Sequence, residues 1–254
     1  MKWVRFVVLL CVYTISCLGT LYAEAGDAIF SESFDSLTNW EPLTFEKVPK
    51  QSHYSVIPNS SGGMILKLES EGGASALISK RIFSVDEARV ITWSWRIEEF
   101  PPAANPKTKS GDDYPIRMYL IFEYEPDNSS FLMNTKYKAI KALYGKYPPD
   151  SSLNYVWSGV EQAGSTFESP YTDRSRIIVL QGRKSAGDGW ISETVDPLAD
   201  YREQFGKEPP QKFRLGIMTD SDNTVGRTRA YFRSLAVLKK DTKAPPHKSR
   251  EDKN

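Results

Sequence analysis

Ile91-Thr92-Trp93-Ser94-Trp95-Arg96-Ile97-Glu98 alternates apolar and polar residues without a break. Successive side chains of an extended strand point to opposite faces, so Ile91, Trp93, Trp95 and Ile97 share one side and Thr92, Ser94, Arg96 and Glu98 the other. Trp93 and Trp95 are therefore expected in a core. The same period returns in Ile116, Met118, Leu120, Phe122 and Tyr124, with Arg117, Tyr119, Ile121 and Glu123 opposite. Arg176-Ile177-Ile178-Val179-Leu180-Gln181 reads as a central strand buried on both sides. Residues 212–218 and 229–238 complete a C-terminal pair. Weaker strands are expected at 28–34, 54–57, 64–68, 76–82, 153–157 and 190–194. About eleven short strands with Gly, Pro, Asn and Asp between them predict an all-β sandwich.

Two short helices interrupt the pattern. Tyr137, Ile140, Leu143, Tyr144 and Tyr147 recur at helical spacing, with Lys136, Lys138, Lys141 and Lys146 on the other side and Gly145 as a stop. Asp196 caps the second, with Pro197 as its first residue. Leu198, Tyr201 and Phe205 form its apolar stripe, and Gly206 ends it. The segment 100–110, rich in proline, is a loop that delivers the chain into an acidic motif.

The two ends are not part of the fold. Lys2 and Arg5, an apolar run over 6–18 and then Ala23-Glu24-Ala25 have the order of a signal peptide over residues 1–25. The run is shorter than the ~20 residues a spanning helix needs, and no later stretch is long and apolar enough, so no transmembrane segment is expected in the mature chain. The chain is expected to be periplasmic or secreted. Thr14-Ile15-Ser16-Cys17 loosely resembles a lipoprotein cleavage site and leaves anchoring at Cys17 as an alternative. Both cysteines, Cys11 and Cys17, fall in this leader, so a large core without disulfides must hold the mature chain. Residues 26–238 are expected to form a single β-sandwich domain, and 239–254 a disordered, charged tail. The 33 Lys and Arg nearly balance the 32 Asp and Glu, which favours neither nucleic acid nor an anionic membrane as partner.

Chemistry is suggested mainly by two acidic motifs. Gly111-Asp112-Asp113-Tyr114-Pro115-Ile116-Arg117 opens one strand, and Thr219-Asp220-Ser221-Asp222-Asn223-Thr224 closes another. Buried carboxylates need cations or donors. Asp112, Asp113 and Arg117, with Tyr119 on the face of Arg117, read as an ion-pair network that pins a loop, as a polar ligand cleft or as a metal site. Asp220, Asp222 and Asn223 read either as a tight turn between antiparallel strands or as part of a calcium site, although calcium takes six to eight oxygens and the motif supplies only some of them. Glu123 and Glu125 project the same way, roughly 6.6 Å apart at the backbone, within the ~6.5–9.5 Å of an inverting glycosidase pair. Trp157 and Trp190 lie near loops and are candidate ligand-stacking residues. The two histidines are His53, in a polar run, and His247, in the tail. They give no basis for a His/Cys zinc site, and no nucleophile elbow or phosphate loop is present.

At Trp93-Ser94-Trp95-Arg96, the Gly111–Arg117 motif, Leu153-Asn154-Tyr155-Val156-Trp157, Trp190 with Asp200-Tyr201 and Phe205-Gly206, and Gly216 to Thr224 with Ala230-Tyr231, the chain resembles a bacterial family known as domain of unknown function 3047. The resemblance spans nearly all of the mature chain. It implies an exported protein with a jelly-roll-like sandwich of the carbohydrate-binding or lectin-like kind, and it implies no activity, catalytic residue or cofactor. The expected function is non-catalytic binding of a carbohydrate or cell-envelope component, with Asp112, Asp113, Arg117, Tyr119, Trp157 and Trp190 as binding residues. The alternatives are a carboxylate-dependent enzyme acting on glycans and a structural or partner-binding envelope protein.

Overall fold

The computed structural model describes residues 28–144, 147–187 and 189–239. The leader over 1–25, the Cys17 alternative, Gly145 and the tail from 240 lie outside the described residues. In chain order the strands are β1 (Ala28–Glu32), β2 (Trp40–Thr44), β3 (His53–Pro58), β4 (Met64–Glu71), β5 (Ala74–Ser79), β6 (Phe83–Ser84), β7 (Ala88–Glu99) and β8 (Arg117–Phe122). Helix α1 (Phe131–Tyr144) follows, then β9 (Ser151–Trp157), β10 (Thr166–Ser169), β11 (Thr172–Gln181) and β12 (Ile191–Val195). Helix α2 (Pro197–Phe205), β13 (Lys212–Asp220) and β14 (Arg227–Lys239) complete the described residues.

These strands make a jelly-roll-like sandwich of two sheets. The first has the order β12-β7-β14-β4-β3, with β1 also on β14; the second runs β10-β11-β9-β8-β13-β5-β2, with β6 also on β13. Neighbours are antiparallel except β9 and β11, which run parallel. β11 is buried on both faces, as its apolar run requires, but it stands second from the edge rather than at the centre, because β10 alone covers it. The two C-terminal strands do not form the expected pair within a sheet. β13 belongs to the second sheet and β14 to the first, so residues 221–226 carry the chain across the sandwich.

The core lies between the sheets and is aromatic. Trp93 of β7 meets Tyr155 of β9 at 5.8 Å between ring centres, and Trp95 meets Trp157 at 5.9 Å. Met118, Leu120 and Phe122 of β8 point into the same layer. A buried side chain of this size contributes roughly 1.5–3 kcal/mol through the water it sheds. Helix α2 closes one flank. Asp196 Oδ1 accepts from Leu198 N and Ala199 N, Gly206 ends the helix at φ 65°, and Asp200 accepts the Tyr155 hydroxyl at 2.6 Å. Helix α1 starts at Phe131, ahead of the expected stripe, and Tyr147 packs on Tyr124 from outside it. No helix among the described residues is long and apolar enough to cross a membrane.

Candidate functional site

Three chain crossings between the sheets meet at one rim. Gly72 and Gly73 link β4 to β5, residues 100–116 link β7 to β8, and residues 221–226 link β13 to β14. They are stitched together. Gly72 N donates to Gly226 O at 2.9 Å, Ser221 N to Gly73 O at 2.9 Å, and the Ser70 and Ser221 hydroxyls lie 2.9 Å apart. Gly226 backs onto Pro102 so closely that an added Cβ would stand 2.0 Å from the proline Cδ. Both acidic motifs sit at this junction.

Arg117 occupies its centre, 2 % exposed on the outer face of the second sheet. Its Nε donates to Asp220 Oδ1 at 2.9 Å, and Nη2 donates to Asp220 Oδ2 and to the Asp112 carbonyl oxygen. Asp112 Oδ2 is a more distant acceptor at 3.4 Å. The Tyr114 ring lies 4.3 Å from the guanidinium carbon, and Tyr114 N donates to Asp220 Oδ1 at 3.1 Å. A planar guanidinium facing a carboxylate through two donors suits a buried pair. Asp113 works elsewhere. Its Oδ1 accepts from Asn223 N and Nδ2 at 3.2 and 3.0 Å, and its Oδ2 from Thr224 N and Oγ1 at 2.7 and 2.6 Å. The 221–226 crossing is thus tied down from the 100–116 loop.

One carboxylate oxygen from each of Asp113, Asp220 and Asp222 lies within 4.8 Å of the others, a spacing that could hold an ion. In this arrangement Asp113 already accepts four donors, Asp220 faces Arg117, and Asn223 Oδ1 accepts the Tyr171 hydroxyl at 2.9 Å.

The electrostatics follow from burial. Burial works against the charge of Arg117, but Asp112 and Asp220 hold it well above the ordinary arginine value. Burial pushes the Asp220 carboxyl up to about 7, against the pull of Arg117. Asp112 and Asp222 are raised too, first by burial and then by neighbouring carboxylates. In the unfolded chain these groups titrate near 3.9. Between about pH 4 and 7 the native state therefore binds more protons than the unfolded one, and stability falls as pH rises through that window. Glu69 and Glu98 are lowered and act in the opposite sense, but only below the ordinary glutamate range. The melting temperature is expected to be higher at about pH 5 than at about pH 8, and a profile rising toward pH 8 would refute the assignment.

Beside this junction the outer face of the second sheet opens into a cavity of about 420 Å³. Asp112, Arg117, Tyr119, Asn154, Asp220 and Asp222 contribute to its wall, and Phe45 and Tyr171 stand at its rim with 36 % and 54 % exposure. Tyr119 and Asn154 are register partners on β8 and β9, which sets them side by side. Burial pushes the Tyr119 hydroxyl up to about 12, so it stays a neutral donor and acceptor. Among the described residues, no donor reaches Asp112 Oδ1 or Asn154 Oδ1, although both atoms are buried.

The residues expected to bind ligand therefore divide. Asp112, Arg117 and Tyr119 face the cavity. Asp113 faces the crossing loop. Trp157 is not available as a stacking platform: it is fully buried on the inner face of β9, packed on Trp95, and its Nε1 donates to Gly182 O at 3.0 Å. Trp190 stands on the opposite side of the molecule, with Arg96 and Arg233 of the first sheet. Asp220 and Asp222 line the cavity together with Asn223. Glu123 and Glu125 are engaged separately, Glu123 with Arg214 at 3.4 Å and Glu125 with Gln211 N at 2.5 Å, and neither lines the cavity. Asn154 and Tyr171 had no place in the sequence-based site. For Asn154 a signal existed, since it is the one amide within the apolar strand Leu153–Trp157 and is 2 % exposed.

Solved structures with a similar fold include the family 11 carbohydrate-binding module of Clostridium thermocellum in complex with a β-1,3-1,4-mixed-linked tetrasaccharide. The two are 8% identical over 82% of this chain and 92% of that one, with a TM-score of 0.39. The K1 cleaved adhesin domain of Lys-gingipain from Porphyromonas gingivalis W83 is similar at 11% identity, over 85% of this chain and 98% of that one, with a TM-score of 0.35. No curated protein matches the chain in sequence. The family model described as "Protein of unknown function (DUF3047)" matches residues 38–236, a span that takes in the Arg117 junction, the cavity wall and most of both sheets, and the chain belongs to that family.

Proposed function

We propose that this protein binds a carbohydrate, or another polyhydroxylated cell-envelope component, without catalysis, in the cavity on the outer face of its second sheet. The observation that carries the reading is that Asp112 and Asn154, two residues of that cavity's wall, each carry a buried side-chain oxygen without a donor among the described residues. An unmet buried acceptor costs about 1–3 kcal/mol, and a ligand hydroxyl supplies the missing donor. The rim adds Phe45 and Tyr171, whose exposed rings suit the apolar face of a sugar. The volume falls within the ~300–1,000 Å³ of small-ligand sites. A periplasmic or secreted location, read from the leader, would place the protein among such ligands.

A glycan array with the mature protein, followed by calorimetry on the best ligand, tests this. Asn154→Ala and Tyr171→Ala are each expected to weaken binding about tenfold, since one lost hydrogen bond or stacking face is worth roughly 1–1.5 kcal/mol. A blank array, or affinity unmoved in both variants while circular dichroism stays native, would overturn it.

A further inference from the structure

The outer face of the first sheet carries a second polar cluster that the cavity does not use. Trp190, just before β12, meets two guanidinium groups. Arg233 Cζ lies 4.1 Å from its ring centre and Arg96 Cζ 5.8 Å. Arg96 also lies 4.3 Å over Tyr231. Among the described residues neither arginine makes an ion pair, although the charge of Arg96 helps to hold the Glu98 carboxyl down, and Arg96 Nε is buried without an acceptor. The carboxylates on this face are engaged by others. Glu98 accepts from Arg229 and the Tyr231 hydroxyl, and Glu69 pairs with Lys67 and Arg229. Burial lowers the Arg233 pKa with nothing beside it to offset that.

The backbone is shaped around the same point. The register between β14 and β7 shifts between Arg233 and Ala236, and Ser234 is held at φ 56°. A bulge of this kind re-aims a neighbouring side chain, and a serine in the left-handed region carries strain that packing must hold. Across the sheet from Arg233, the Ser94 and Ser192 hydroxyls lie 2.8 Å apart and offer further donors.

We infer that Arg96, Arg233 and Trp190 form a binding site for an acidic saccharide. The guanidinium groups would receive its carboxylate or sulfate, and the indole would lie against the apolar face of its ring. Two half-buried cations, neither ion-paired among the described residues, favour an anion, and guanidinium presents the forked donors that a carboxylate or sulfate fits. This site is independent of the cavity on the second sheet.

Calorimetric titration of the mature chain with oligogalacturonate and with dextran sulfate tests the inference, with a neutral galactose oligomer as control. At least one acidic polymer is expected to bind, and more weakly as salt rises. Arg233→Gln and Arg96→Gln are each expected to reduce that affinity tenfold or more. Arg233→Lys, which preserves charge and fold but not the fork, is expected to give an intermediate loss. Asn154→Ala is expected to leave it unchanged, which separates this site from the cavity. Binding of neither acidic polymer, equal affinity for the neutral oligomer, or affinity preserved in the folded arginine variants would overturn the inference.

Discussion

Asp220→Ala is expected to destabilise the fold by about 3–5 kcal/mol, the usual cost of removing one partner of a buried ion pair. The substitution takes the acceptor from Arg117 Nε and from Tyr114 N and leaves Nη2 only the Asp112 carbonyl oxygen. Asp112 is a poor substitute, because its Oδ2 stands 3.4 Å away and its Oδ1 accepts no hydrogen bond among the described residues. The guanidinium is 2 % exposed, so little water reaches it to replace the lost carboxylate. Asp220→Asn should rescue little: its Oδ1 can still accept from Tyr114 N and Arg117 Nε, but its NH₂ then opposes the Arg117 donors. Charge and hydrogen bonding can be separated by a double-mutant cycle with Arg117→Met. Removing both partners is expected to restore part of the loss, since the guanidinium is no longer stranded, while Asp112 loses its cation. Urea unfolding followed by tryptophan fluorescence measures each step. An Asp220→Ala variant within about 1 kcal/mol of the parent would mean that the pair is not what holds the rim together.

The strand pattern was legible because burial is periodic. Ile91, Trp93, Trp95 and Ile97 lie in the core because the period of a strand leaves them no other face. The α2 boundaries were equally readable from Asp196, Pro197 and Gly206, whose roles are local. What could not be read was set by partners distant in sequence. Arg117 finds Asp220 across 103 residues, and no pattern near Arg117 distinguishes that carboxylate from Asp113. Trp157 beside a loop looked exposed, yet the parallel strand β11 and the Gly182 carbonyl cover it. The Asp220–Thr224 segment has hairpin-turn composition, because Asp, Asn and Thr suit any tight reversal; whether it joins strands of one sheet or crosses to the other is decided by how the sheets pack. The neighbours of Trp190 are equally absent from its surroundings in sequence: Arg233, some forty residues on, lies over its ring.

Asp113→Ala is expected to cost about 2–4 kcal/mol and to leave ligand binding in the cavity intact. Its carboxylate accepts from Asn223 N and Nδ2 and from Thr224 N and Oγ1, so alanine strands two backbone donors at the crossing. The cost is smaller than at Asp220 because Asn223 and Thr224 are only half-buried and water can reach part of what is lost. Asp113→Asn keeps one accepting oxygen and should recover roughly half of the stability. The same arrangement makes a statement about calcium. An ion at Asp113, Asp220 and Asp222 would have to compete with four donors on Asp113 and with the guanidinium on Asp220. Added calcium or chelator is therefore expected to leave the melting temperature where it is, whereas a ligand that binds only the native state would raise it in proportion to the logarithm of its concentration. A calcium-dependent rise that disappears in Asp113→Ala would instead assign the crossing to an ion, with the hydrogen bonds to Asn223 and Thr224 as its second layer.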